Sequence, residues 1–251
     1  MAGPMRDWLT ARPIAHRGLH DAAAGTIENT PSAFRAAVDA GYGIECDLQI
    51  SADGEAMVHH DDALGRLTDG AGRLDSMTAA TLRRVSFKAT ADRMLTLGEL
   101  CDLVAGRVPL LIELKGRFAG DTRLAARTAD VLAGTSGPVA AMSFDPGLVA
   151  ALRSLAPKLT LGLVAMRRDA GAPASAKMPA LRYARQALAA RPQFLAYRVQ
   201  DLTSAPPLIA RNLLRWPVLT WTVRTNADRA RAARYADQII FEGFRPELPE
   251  T

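Results

Sequence analysis

The chain has 251 residues, a formal net charge of +5, and 49% hydrophobic residues. This composition argues against a long disordered region and predicts a globular protein, either one α/β barrel or two smaller domains. The basic residues are scattered without a run of five, and aromatic residues are few, so we do not expect a nucleic-acid surface.

Cysteine content and hydropathy indicate the cellular compartment in which the protein is expected. Cys46 and Cys101 form no CxxC motif and are too few for a disulfide framework, so we expect two buried free thiols. No stretch of about 18 apolar residues occurs, and the N-terminus lacks the apolar segment of a signal peptide. We therefore expect a cytoplasmic protein without stable membrane insertion.

Eight short apolar runs alternate with helix-like stretches. The candidate strands are residues 13–16, 42–48, 108–114, 138–144, 159–165, 193–199, 217–223 and 237–241. The candidate helices are residues 30–41, 121–134, 145–156, 180–190 and 226–236. The first helix has Thr30 as its N-cap, Pro31 in its first turn and Gly41 as its stop. This alternation predicts an α/β fold, either a TIM (β/α)8 barrel or a doubly wound open sheet.

Residues 62–94 interrupt the alternation after the second candidate strand. They are polar and Gly-rich, and their apolar residues are spread out along the sequence. Long insertions in such folds usually lie on the active-site face. We therefore predict one domain, residues 1–251, with residues 62–94 inserted over that face. The oligomeric state stays open.

Two carboxylates lie two residues apart on the second candidate strand. Glu45 and Asp47 share one face of this strand, between apolar neighbours. Because their charges repel, a divalent cation with oxygen ligands is the usual occupant of such a face. Glu113 and Lys115 repeat the spacing on the next strand. Two interpretations of this pair are equally good. The two side chains could form a plain ion pair, or Glu113 could bind the metal while the Lys115 ammonium binds a phosphate.

The segment MVHHDD places two histidines side by side, and only one of them can face the carboxylates. A two-residue hairpin turn at residues 53–54 would pair Asp47 with His60. His59 and Asp61 would then point to the opposite face. A register shift of one residue would reverse this assignment.

His16 and Arg17 end the first candidate strand, where TIM barrels carry their chemistry. The histidine suits a general acid or base, and the arginine suits a bidentate contact with a phosphate. Taken alone, this pair is equally compatible with a structural histidine.

Seven motifs occur in the order found in one enzyme family. They are AHRG, ENTPSAFRAAVDAG, GIECDLQISADGEAMVHHDDALGRLTDGAG, LTLGEL, LIELKG, SFDPGLVAALR and TWTV. On these motifs the chain resembles the glycerophosphodiester phosphodiesterases over nearly its whole length. The resemblance implies a TIM barrel with a small insertion after the second strand. Two positions depart from the family pattern and bear on substrate contacts: Leu67 stands where a threonine is common, and Glu242 where an aspartate-containing loop is common.

The resemblance also implies a cofactor and a set of site residues. The cofactor is a divalent metal, Mg²⁺ or Ca²⁺. The implied residues are Glu45, Asp47 and Glu113 as metal ligands, His16 and His60 as general acid and base, Arg17 and Lys115 as phosphate contacts, and Glu28 as a supporting residue.

The implied reaction is hydrolysis of a glycerophosphodiester to sn-glycerol 3-phosphate and an alcohol, through a cyclic phosphate. Two alternatives stay open. One is lysophospholipase D-like or phospholipase-like hydrolysis of a lipid phosphodiester, which a hydrophobic lip on the insertion would favour. The other is an inactive barrel that acts as a binding protein, and the complete set of site residues argues against it.

Overall fold

The computed structural model describes residues 7–167 and 180–249. Its nine strands are β1 (Ile14–Ala15), β2 (Gly43–Ile50), β3 (Ala56–Val58), β4 (Leu110–Leu114), β5 (Val139–Ser143), β6 (Thr160–Ala165), β7 (Phe194–Arg198), β8 (Val218–Val223) and β9 (Gln238–Phe241) within these ranges. All except β3 pair in parallel, and β1 pairs with both β2 and β9, so eight strands close a barrel. The predicted TIM barrel is confirmed, and the open sheet is wrong.

The helices lie around this barrel. Those in the described ranges are α1 (Asp7–Thr10), α2 (Pro31–Asp39), α3 (Ala79–Leu82), α4 (Leu97–Val104), α5 (Arg123–Leu132), α6 (Pro146–Leu155), α7 (Ala180–Ala190), α8 (Ala205–Asn212) and α9 (Asn226–Tyr235). The start of α2 is as predicted, because Pro31 lies in its first turn and the Thr30 hydroxyl accepts a hydrogen bond from the Ala33 N–H. All five predicted helices are confirmed, and the other four were missed.

Alternation along the strands separates two apolar cores. Ile14, Leu111 and Phe194 pack inside the barrel, while Ile44 and Ile112 pack with the surrounding helices. The inward positions at the carboxyl ends of β2 and β4 carry charged side chains instead of apolar ones. Apolar side chains therefore fill most of the barrel interior, and charged side chains lie toward the carboxyl end, the end at which TIM barrels carry their functional residues.

Residues 62–94 form a unit with a small core of their own. The apolar side chains of this segment pack together with two residues from outside it. Those buried in this cluster are Ile27, Met57, Leu64, Leu74, Leu82, Phe87 and Met94, with Leu67, Met77 and Val85 partly buried against them. No large hydrophobic side chain of the segment is exposed. The spread seen along the sequence was misleading, because chain reversals bring these residues together.

The β2–β3 hairpin differs from the prediction by one residue. Leu48 pairs with Val58 and Ile50 pairs with Ala56. The Ser51 N–H also donates to the Glu55 carbonyl at 2.9 Å, which leaves residues 52–54 as a turn of three residues instead of two. The Ser51 hydroxyl donates to the Asp53 carboxylate at 2.6 Å and accepts from the Glu55 N–H at 2.8 Å. These side-chain bonds stabilise the longer turn, and the predicted register is wrong.

Cys46 and Cys101 are both buried and free, as predicted. Within residues 7–167 and 180–249, no helix has the length and apolar character needed to span a bilayer.

Candidate active site

Three buried carboxylates meet on the inward faces of β2 and β4. Glu45, Asp47 and Glu113 each place one oxygen so that the three oxygens lie within 4.8 Å of one another. Their residues are 1%, 1% and 8% exposed. Burial, followed by the charges of the other two carboxylates, raises the pKa of Glu45 well above its usual value. This concentration of negative charge requires cations nearby.

Two basic side chains lie against the cluster. The Lys115 ammonium is 2.7 Å from Asp47 Oδ1 and 2.6 Å from Glu113 Oε1, and Arg17 Nε is 3.1 Å from Asp47 Oδ2. The Asn29 amide also donates to Asp47 Oδ2, at 2.9 Å. Although burial acts to raise the pKa of Asp47, the charges of Lys115 and Arg17 lower it. Asp47 is therefore held as an anion.

The carboxylates fit a divalent cation. Asp47 Oδ1 is buried and has the Lys115 ammonium 2.7 Å away. The cluster brings three carboxylates together against the two cations Lys115 and Arg17, so a bound divalent ion would offset the remaining negative charge. Three carboxylate oxygens form the hard donor set that Mg²⁺ and Ca²⁺ prefer. The cofactor interpretation therefore agrees with the side chains present.

His16 is fixed by a carboxylate from the end of the last barrel strand. Its Nδ1 is 3.0 Å from Glu242 Oε2, and its Nε2 is 4.0 Å from Glu45 Oε2. Burial lowers the pKa of His16. The hydrogen bond from His16, together with that from Arg224, lowers the pKa of Glu242 to about 2. Glu242 is thus an anion that turns the Nε2 of His16 toward the carboxylate cluster.

His60 lies beside the same carboxylates, although the hairpin argument for it was wrong. His60 shares the wall of one cleft with Lys115, whose ammonium contacts both Asp47 and Glu113. Strand β3 ends at Val58, so strand alternation no longer applies at residues 59 and 60. The expectation that Asp61 turns away is also wrong, because its Oδ1 lies 2.8 Å from His60 Nδ1.

His59 is packed into the protein instead of facing the site. It is 2% exposed, and its backbone N–H donates to the Asp47 carbonyl at 3.0 Å. Burial lowers the pKa of its ring. Of the adjacent pair, His60 is therefore the histidine available to a ligand.

Sequence reasoning missed one more charged residue. Arg66, in the insertion, donates to Glu28 and to Asp61, and Glu28 in turn accepts from Arg17 at 2.7 Å. Glu28 thus lies behind Arg17, and its supporting role stays a prediction. The arginine of RLTDG was visible in the sequence, but nothing in its spacing pointed to these partners.

A cleft of about 570 Å³ opens beside the cluster. Its walls include His60, Lys115, Arg66 and Arg117. A volume of this size accommodates a small organic phosphate. Another cavity, of about 460 Å³, is lined by residues that include His20 and Glu242.

A TIM barrel with a carboxylate cluster, two histidines and two cationic side chains at its carboxyl edge is typical of metal-assisted phosphoryl chemistry. The glycerophosphoryl diester phosphodiesterase family model matches residues 16–242. The chain belongs to this family.

Individual relatives agree with this assignment. Glycerophosphodiester phosphodiesterase 1 from Bos taurus is 43% identical over 83 residues, which are 32% of this chain and 23% of that protein. The chain therefore spans about a quarter of the length of this curated relative.

Two solved structures share the fold. One is a phosphodiesterase from Oleispira antarctica in complex with the product sn-glycerol-3-phosphate, with 20% identity, 91% coverage of both chains and a TM-score of 0.74. The other is a glycerophosphodiester phosphodiesterase from Thermotoga maritima, with 22% identity, coverage of 91% of this chain and 92% of that chain, and a TM-score of 0.68.

Proposed function

We propose that the protein hydrolyses glycerophosphodiesters to sn-glycerol 3-phosphate and an alcohol, with a divalent metal as cofactor. The observation that carries the proposal is the buried cluster of Glu45, Asp47 and Glu113, with His16 and His60 beside it. The family assignment and the product bound to the Oleispira enzyme support the same substrate class.

The charged residues divide between metal and phosphate. Glu45, Asp47 and Glu113 would hold the cation, which supplies charge neutralisation at the phosphate when bound. Arg17 and Lys115 lie against the same carboxylates, so their remaining N–H groups can reach phosphate oxygens. Positive groups around the phosphate stabilise the charge that develops there in the transition state.

The two histidines move the protons. One takes the proton of the glycerol 2-hydroxyl while that oxygen attacks phosphorus, and the other gives its proton to the departing alcohol oxygen as the P–O bond breaks. This step produces a cyclic phosphate, and water opens it with the two roles reversed. The Glu242 carboxylate is hydrogen-bonded to Nδ1 of His16, and the Asp61 carboxylate is hydrogen-bonded to Nδ1 of His60. Nε2 of each ring is therefore left for proton transfer.

Neither alternative function gains support from an observation. A lipid diesterase would be favoured by an apolar lip, but the apolar residues of the insertion lie in its own core. An inactive barrel has no need of a desolvated carboxylate cluster, which costs folding free energy unless a cation offsets the repulsion. The cytoplasmic location stays a prediction from the sequence.

Release of glycerol 3-phosphate from glycerophosphocholine tests the proposal. We expect release with added Mg²⁺ or Ca²⁺ and none after chelation. Turnover of a lysophospholipid without turnover of glycerophosphocholine would contradict the proposal and favour the lipid diesterase.

A further inference from the structure

We propose that Arg66 is a positioning residue, which acts from the insertion on both His60 and Arg17. The inference rests on the proposed function, because it assigns to these two residues the proton-transfer and phosphate-binding roles given above. Arg66 itself lies outside the barrel strands, and its hydrogen bonds go to carboxylates other than the three of the metal cluster.

Arg66 bridges two carboxylates. Its Nε donates to Asp61 Oδ2 at 2.6 Å, and its Nη2 and Nη1 donate to the two oxygens of Glu28 at 2.6 and 3.2 Å. The pair with Glu28 is bidentate, the geometry in which a guanidinium fixes a carboxylate most strongly. A lysine at this position could not make the three bonds together.

Each carboxylate in turn holds one residue of the site. The other oxygen of Asp61 lies 2.8 Å from His60 Nδ1. Glu28 Oε1 accepts a hydrogen bond from Arg17 Nη1 at 2.7 Å. Arg17 Nε in turn lies 3.1 Å from Asp47 Oδ2. Arg66 is therefore the link between the orientation of the His60 ring and the orientation of the Arg17 guanidinium.

Charge balance makes the bridge necessary. The side chains of Glu28 and Asp61 are only 14% and 23% exposed, so their charges are poorly screened. Burial acts to raise the pKa of both carboxyls, but the hydrogen bonds from Arg66 oppose it, and the pKa of each is lowered. Without the guanidinium each carboxylate would lose the hydrogen bonds that oppose the cost of its burial and would be held by one partner fewer.

The folded insertion holds Arg66 in place. The preceding residue, Gly65, donates its N–H to the hydroxyl of the fully buried Thr68 at 3.1 Å. The next residue, Leu67, accepts from the Lys88 N–H at 2.9 Å and packs against the core of the insertion. The insertion core thus has a consequence for the site, since it fixes the backbone that carries the bridge.

Arg73 offers a matched control. It lies in the same insertion, its side chain is 49% exposed against 46% for Arg66, and it also contacts two carboxylates, Asp62 and Asp75. Neither of these carboxylates is bonded to His60 or Arg17.

The experiment compares Arg66→Gln, Arg66→Lys and Arg73→Gln for hydrolysis of glycerophosphocholine in saturating Mg²⁺. We expect kcat to fall by roughly 10- to 100-fold in both Arg66 variants, the range typical of a lost supporting hydrogen bond, and KM to increase. Arg73→Gln stays within about twofold of the wild type because surface pairs contribute little. Thermal unfolding of Arg66→Lys and Arg73→Gln matches the wild type.

A double variant separates positioning from general damage. In a His60→Asn background, Arg66→Lys loses most of its effect on kcat because the ring it orients is absent, while its effect on KM through Arg17 remains. Equal activity of the Arg66 and Arg73 variants, or an undiminished kcat effect in the His60→Asn background, would overturn the inference. An inactive wild type would instead overturn the proposed function itself.

Discussion

The adjacent histidines differ in what surrounds them, and substitution will separate them. We expect His60→Asn to lower kcat by roughly 10²- to 10⁴-fold, the usual contribution of a general acid or base, with metal binding kept. His59→Gln will keep kcat within a few-fold but lower the unfolding temperature, because that ring is buried. Steady-state kinetics and thermal unfolding check both. Loss of activity in His59→Gln alone would contradict the assignment.

The Glu242 carboxylate contributes a pH-dependent part of the stability. Its pKa in the folded protein is about 2 and its ordinary value is 4.5, so the stabilisation is fully present above pH 4.5 and is lost as pH falls toward 2. We expect the difference in unfolding free energy between wild type and Glu242→Gln to be constant near neutral pH and to shrink below 4.5. Urea unfolding across this range measures it. A difference that does not change with pH would show that Glu242 is not held as proposed.

At the scale of elements, β6 contains a glycine that packing requires. A Cβ at Gly162 would lie 2.2 Å from the Phe194 ring inside the barrel. Gly162→Ala is therefore expected to cost about 1–3 kcal/mol of unfolding free energy through overpacking. Gly134→Ala is the control, because a Cβ added there would meet no atom within 4 Å. Equal unfolding free energies for the two variants would contradict this view of the barrel interior.

Local signals predicted the eight barrel strands and five of the helices, but not the register of the β2–β3 hairpin. The strand runs, and the cap at Thr30, depend on residues close in sequence, so periodicity finds them. The hairpin register depended on side-chain bonds of Ser51 that a turn rule does not include. The start of helix α4 could have been predicted, because Thr96 and Glu99 have the spacing of a capping box in the sequence.

At the scale of the whole molecule, barrel closure decides which parts of the site the sequence reveals. Glu45 and Asp47 share a strand, so their spacing alone predicts that they lie together. Glu242 reaches His16 across 226 positions of sequence, because β9 pairs with β1. Arg66 reaches Glu28 only because the insertion folds back over the barrel. A rule based on the spacing of residues in the sequence cannot predict either contact.

The proposed function requires that the three-carboxylate cluster bind the metal on which hydrolysis depends. The direct test is a metal titration of chelated protein, with glycerol 3-phosphate release and calorimetric metal binding recorded on the same samples. It compares wild type, Asp47→Asn and the surface control Asp121→Asn, whose side chain is 47% exposed and lies outside the cleft. We predict that binding and release rise together in wild type and control and that both are lost in Asp47→Asn. Full release from chelated wild type, or unchanged metal binding by Asp47→Asn, would contradict this role of the cluster.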